Sequence, residues 1–322
     1  MQTLPTIYAL RKNFPDAYLE IMGYVPIAEL AKGKYYADAI SNFDQRGISY
    51  FFRDPELSYQ ETELAKSLRD YFSSFDVIFL FLRSSGKDFY ENLKRIKGPE
   101  IILFDPFPPD GERVHIVDHL LESVKQLDLK ISRRIPRIFL QDDDIDFAAQ
   151  FIENHDLERE GNKRIVAIHP GSGSRKKCWE VEKFAEFIHL LRKRMAVTIL
   201  IVSGPADREN ITILLNKIRN LLVIPDMSIT KVAAVLKKCS LYVGNDSGIT
   251  HISAAVLTPT IAIFGPTDPA IWGVRGKSVR MVKSTVPCAP CSADERNLCK
   301  QQVCFEGITV EDVFAAVNSI LS

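Results

Sequence analysis

Short apolar, β-branched runs alternate with amphipathic stretches along almost the whole chain. That rhythm predicts a mostly parallel sheet with covering helices, an α/β fold. In the first half, residues 18–22, 76–82 and 100–104 read as strands. Residues 77–82 are apolar without a break, as a strand buried on both faces should be. Leu64, Leu68 and Phe72 recur at spacings of four and predict a helix over 61–72. Ile116, Leu120, Val124 and Leu127 share one face of another over 115–127.

A charged, strand-poor stretch follows over 141–163, where Asp142, Asp143 and Asp144 suit the positive end of a helix dipole. The boundary between two domains is expected near Glu160, giving 1–159 and 160–322. The alternation then restarts. Strands are predicted at 164–168, 197–202, 241–243 and 260–264, and helices at 181–191, 229–236, 249–255 and 309–321.

A length of 322 residues exceeds what one hydrophobic core usually supports, which agrees with two domains. The chain carries 41 Lys plus Arg and 41 Asp plus Glu, so no basic surplus points to nucleic acid as a partner. No apolar run reaches the ~18 residues of a membrane-spanning helix. The start, Met1 to Pro5, lacks the basic and apolar regions of a secretory signal, so a cytoplasmic location is expected.

In open parallel sheets, ligands sit at the carboxyl ends of strands near helix N-termini. Four loops of the second half fall there. The first runs from His169 through Pro170, Gly171, Ser172, Gly173, Ser174, Arg175, Lys176 and Lys177 to Cys178 and Trp179. Its glycines allow close backbone approach, its serines offer hydroxyls, and Lys176 and Lys177 offer positive charge: parts for holding a phosphate. A plain Gly/Ser turn with solvated lysines has the same composition. The second, 204–209, presents Asp207 and Glu209, either as carboxylates for ribose or sugar hydroxyls or as a helix start. The third, 244–251, places Ser247 and Gly248 at a helix N-terminus suited to an anion, with Asp246 beside it for sugar hydroxyls and His251 one turn on. The fourth, 264–269, ends a strand in Gly265 and Pro266, then Thr267, Asp268 and Pro269, and shapes the pocket.

The order His-Pro-Gly-Ser-Gly-Ser-Arg-x-Lys-x-Trp, Gly-Pro-x-Asp, Gly-Asn-Asp-Ser-Gly-x-x-His and Phe-Gly-Pro-Thr-Asp-Pro resembles glycosyltransferase family 9, which includes the ADP-heptose:lipopolysaccharide heptosyltransferases. Residues 3–17 are similar to the family's first helix and the turn after it. The resemblance implies a B-type glycosyltransferase (GT-B) fold, two Rossmann-like domains facing across a cleft, with the acceptor on the N-terminal domain and the donor on the C-terminal one. It implies inverting transfer of a sugar, heptose from ADP-heptose, to a lipopolysaccharide core or related glycan, without cofactor or metal and with peripheral contact to the inner membrane. Ser172, Gly173 and Lys177 match the phosphate loop, Glu209 or Asp207 a carboxylate near the nucleoside, and Met227 a residue flanking the base. Asp246, Ser247, Gly248 and His251 match the sugar-diphosphate loop. The family's general base is an Asp in a Gly-Asp loop after a first strand, and the matching point lies before Met1. That leaves a non-catalytic nucleotide-sugar binding protein as the alternative reading. A sugar-nucleotide epimerase of similar shape would need its own acid and base residues, which the sequence does not display.

Of the six cysteines, Cys288, Cys291, Cys299 and Cys304 are crowded together. They could hold zinc, form disulfides or stay free. Cys178 and Cys239 stand alone and read as reduced thiols. His115 and His119 are four apart, as zinc ligands can be, but no Glu follows His115 and apolar positions interleave with them. Trp179 and Trp272 read as packing residues rather than sugar-stacking platforms, although Trp272 follows the Thr-Asp-Pro turn and could reach the cleft.

Overall fold

The computed structural model describes residues 1–43, 47–54, 62–83, 86–157, 164–204 and 207–321. The chain folds as two compact units, Gln2–Arg134 and Ile135–Ser322, with Met1 belonging to the second.

The N-terminal unit runs α1 (Leu4–Asn13), β1 (Glu20–Gly23), α2 (Val25–Ala28), β2 (Ala39–Asn42), α3 (Glu63–Ser73), β3 (Val77–Phe81), α4 (Lys87–Lys94), β4 (Glu100–Phe104) and α5 (Ile116–Lys125). Pro5 sits in the first turn of α1, where its missing N–H has no helical partner to lose. Thr62 caps α3 by accepting the Ala65 N–H. The described strands form two parallel pairs, β1 with β2 and β3 with β4. Arg11, buried in the last turn of α1, donates to the carbonyls of Ala17 at 2.7 Å and Tyr36 at 3.0 Å and to the Asp38 carboxylate at 2.5 Å. His115 caps α5 through Nδ1 and the Val117 N–H, and His119 Nε2 meets the Asp105 carbonyl at 2.8 Å. Both histidines therefore hold the fold.

The C-terminal unit runs α6 (Asp142–Asn154), β5 (Arg164–His169), α7 (Val181–Arg194), β6 (Val197–Ile201), α8 (Arg208–Lys217), β7 (Leu222–Val223), α9 (Ile229–Lys238), β8 (Leu241–Asn245), α10 (Gly248–Ala255), β9 (Thr260–Phe264), α11 (Pro269–Trp272), β10 (Val279–Lys283), α12 (Ala293–Leu298) and α13 (Val310–Leu321). Its six described strands form one parallel sheet in the order β10-β9-β8-β5-β6-β7. Every residue of β8 and β9 is buried, which explains their largely apolar sequence. Val181, Phe184, Ile188 and Leu191 of α7 face the core, and Arg192, Lys193 and Arg194 complement the negative end of its dipole.

The expected boundary near Glu160 lies in 158–163, outside the described residues. The division between the units falls earlier, after Arg134. Helix α6, read from sequence with the first domain, packs on α9, with Lys231 Nζ 4.6 Å from the Phe147 ring, and the Ile138 N–H donates to the Ala255 carbonyl. The acidic first turn of α6 is as expected. Strands β2, β7 and β10 do not stand out in the hydrophobic pattern. They are short or edge strands whose residues are mostly half-exposed, so no strong apolar run marks them.

Candidate functional site at the sheet switch point

Strand β5 lies between β6 and β8, so chain order reverses there. At such a switch point the loops leaving two neighbouring strands diverge and open a crevice at their carboxyl ends. The loop after β5 and the loop after β8 are those two loops.

Asn245, fully buried, joins them. Its side-chain amide donates to the Pro170 and Gly171 carbonyls at 3.0 and 3.2 Å, and its oxygen accepts the Trp179 N–H at 2.9 Å. Ser172 Oγ donates to the Asp246 carbonyl at 2.8 Å. Both ends of the first loop are thus tied to the third. Trp179 is fully buried and donates through Nε1 to the Ile308 carbonyl at 3.1 Å, so it packs. Trp272 packs beside Phe264 and Val274.

Asp246 lies at the centre. Lys177 Nζ donates to its Oδ2 at 3.1 Å and Thr267 Oγ1 donates to the same oxygen at 2.9 Å. Among the described residues neither bond uses Oδ1, which is left to accept from a hydroxyl. Ser247 caps α10, accepting the Thr250 N–H, and Gly248 opens the helix. A Cβ at Gly248 or Gly173 would meet nothing within 4 Å, so both glycines border open space. A cation, a helix N-terminus and one carboxylate oxygen therefore border one region, which suits a phosphate carrying a hydroxylated group. His251 is buried one turn into α10.

Lys176, read as a second phosphate charge, instead donates to the carbonyls of Arg296, Asn297 and Cys299 at the end of α12, where the dipole favours a cation. Glu209 is exposed and pairs with Arg175. Asp207 turns inward: it is buried, its Oδ2 accepts the Gly204 N–H at 2.8 Å and lies 2.8 Å from His169 Nε2. Pro205 and Ala206 of the second loop lie outside the described residues. Met227 is half-buried after β7, beside Ser228, which caps α9.

All six cysteines are free. Among the described residues no group of three or more His, Cys, Asp or Glu is placed to hold a metal ion. Burial pushes the Cys304 thiol up to about 11 and Cys239 to about 12. Burial, reinforced by the Asp207 charge, takes Cys178 to about 11. Cys299 is lowered by the backbone N–H groups of Gln302 and Gln301. Sequence reading missed His169, Asn245 and Thr267 as site residues. The only available signal was their position at strand ends inside the quoted motifs.

Residues 97–301 match the family model described as glycosyltransferase family 9 (heptosyltransferase). The chain is 28% identical over 174 residues to lipopolysaccharide heptosyltransferase 1 of Pseudomonas aeruginosa, covering 50% of this chain and 49% of that one. It is 23% identical to lipopolysaccharide heptosyltransferase 3 of Escherichia coli K12 over 99% of this chain and 94% of that one. Matches to the first relatives span about half their length or less. Among solved structures, a family 9 glycosyltransferase from Veillonella parvula superposes with a TM-score of 0.79 at 17% identity, covering 99% and 93% of the two chains. An E. coli heptosyltransferase solved with ADP gives 0.63 at 18% identity, covering 99% and 95%. No described helix is long and apolar enough to cross a membrane.

Proposed function

The chain belongs to glycosyltransferase family 9, and from that premise we propose that it transfers heptose from ADP-heptose to a lipopolysaccharide core sugar or related glycan. The observation that carries this reading is the convergence of Lys177, Thr267 and the α10 N-terminus on Asp246 at the switch point. Lys177 and the N–H groups opening α10 stabilise the negative charge that grows on the departing diphosphate, a task other transferases give to a metal. Asp246 Oδ1 accepts from a hydroxyl of the transferred sugar. We take the transfer to be inverting and metal-independent, as the family resemblance implies, and relatives named as lipopolysaccharide and lipooligosaccharide heptosyltransferases support the acceptor class. The N-terminal unit takes the acceptor. The protein works in the cytoplasm at the inner-membrane surface.

The test is calorimetric titration with ADP and with ADP-heptose, repeated for Lys177→Ala and Asp246→Ala. The Lys177 change is expected to weaken both ligands about tenfold or more, one charge-assisted contact's worth. The Asp246 change is expected to remove the advantage of ADP-heptose over ADP. Equal losses for both ligands in the Asp246 variant would leave its sugar role without support. Binding of ADP-heptose without transfer to any core acceptor would favour the nucleotide-sugar binding reading. Binding of a UDP or GDP sugar instead would keep the site and change the donor.

A further inference from the structure

His169 ends β5 with its side chain almost fully buried, and sits opposite Gly244 of β8 in the sheet register. Its Nε2 lies 2.8 Å from Asp207 Oδ2 and its Nδ1 lies 3.2 Å from Ser247 Oγ. Asp207 comes from the loop after β6 and Ser247 from the loop after β8. One imidazole therefore links the loops of three adjacent strands.

Hydrogen-bond chemistry orders this relay. The Asp207 carboxylate only accepts, so Nε2 carries the hydrogen of that bond. Nδ1 and the Ser247 hydroxyl share the second bond, and Ser247 Oγ also accepts the Thr250 N–H it caps and meets the Thr250 hydroxyl at 3.0 Å. The carboxylate is itself wedged in place: a Cβ at Gly171 would stand 1.8 Å from Asp207 Oδ1. The relay is closed to solvent, since Asp207 and Ser247 are 5% and 7% exposed.

Resting on the donor-site reading above, we propose that Asp207 and His169 are positioning residues for the donor. They act through the Ser247 hydroxyl, which holds the first turn of α10 and its N–H groups on the diphosphate. Asp207 thereby takes no part in nucleoside recognition, despite its place in the second loop.

The variant His169→Gln separates the two bonds. A glutamine amide reaches the Nε2 position and still donates to Asp207, but it leaves Ser247 without its imidazole partner. The experiment measures ADP affinity by calorimetry and melting temperature for the unmodified chain, His169→Gln, Ser247→Ala and the double variant. His169→Gln is expected to melt within roughly 2 °C of the unmodified chain, yet to bind ADP about five- to tenfold more weakly, the size of one capping contact. In the Ser247→Ala background the same change is expected to have no further effect on ADP affinity, because the hydroxyl it works through is gone. Full additivity of the two losses, or unchanged ADP affinity in a folded His169→Gln protein, overturns the proposal while the donor site stands. An unmodified chain that binds no nucleotide sinks the donor-site reading and this one together. Should His169→Gln fail to fold, ring ¹⁵N spectra of the unmodified chain decide: the Nδ1 signal of His169 is expected to move on saturation with ADP, and a stationary signal overturns the relay.

Discussion

Strands β8 and β9 of the C-terminal unit bury every residue, whereas β1 of the N-terminal unit buries none fully and β3 and β4 each begin exposed. Among the described residues, most large exposed apolar side chains belong to the N-terminal unit, including Tyr18, Tyr24, Ile27 and Phe107. The polar ties differ as well. In the N-terminal unit, Arg11 reaches the Ala17 and Tyr36 carbonyls and the Asp38 carboxylate, tying the end of one helix to the segments that lead into β1 and β2. In the C-terminal unit, Lys177, Asp246, Thr267, Asn245 and His169 connect loops far apart in sequence. A continuous sheet with covered faces can hold several loops in fixed relation, and preorganisation is what binding a charged leaving group requires.

The largest expected effect separates the two kinds of packing. Trp179→Ala should cost the C-terminal unit about 3–5 kcal/mol, the range for a fully buried large aromatic. Leu103→Ala in β4, 42% exposed, should cost about 1 kcal/mol or less. Urea unfolding followed by tryptophan fluorescence reads the first, since Trp272 remains as a reporter in the same unit, and circular dichroism reads the second. Similar costs would show that the half-open strands of the N-terminal unit are as tightly packed as the closed sheet.

Next comes the rigidity of the loops. Gly171→Ala drives a methyl into the Asp207 carboxylate and should destabilise the fold by about 1–3 kcal/mol while weakening ADP at least severalfold. Unchanged ADP affinity in calorimetry would mean that the loop adapts. A smaller effect is expected in the N-terminal unit from Asp38. The Leu19 N–H, then the Arg11 guanidinium, hold this carboxyl below its ordinary value of 3.8. A lowered folded pKa contributes stability that is complete above the unfolded value and lost as pH falls through the folded one. Asp38 is well exposed, so solvent screening keeps the effect small. Asp38→Asn should therefore flatten the acid limb of a stability-against-pH curve slightly, and an unaltered limb below pH ~4 would remove the pair's contribution. The smallest effect is expected for Glu209→Gln, which breaks an exposed pair with Arg175 and should change stability by less than about 0.5 kcal/mol. A marked fall in ADP affinity with stability intact would return Glu209 to the nucleoside.

Much of this is legible in the sequence where one residue type does one job. The apolar run of β9, the apolar face of α7, the acidic start of α6 and the glycine-rich turns after β5 and β8 all declare themselves through local physics, because backbone geometry and burial act residue by residue. Strands such as β2 and β7 do not, since half-exposed short segments gain their identity from a neighbour rather than from their own pattern. The boundary is displaced for the same reason: α6 has the charge of a linker's edge, yet its apolar face finds α9.

The sequence by itself determined the layered α/β architecture and which loops carry charge, hydroxyls and glycine at the strand ends. Only the tertiary structure decided which of two adjacent lysines meets Asp246 and which caps α12, and that Asp207 faces His169 instead of solvent. Those choices depend on contacts across dozens of residues, where a side chain's partner is set by the register of strands and the direction a loop leaves the sheet. A one-dimensional pattern carries the inventory of groups but not the distances between them.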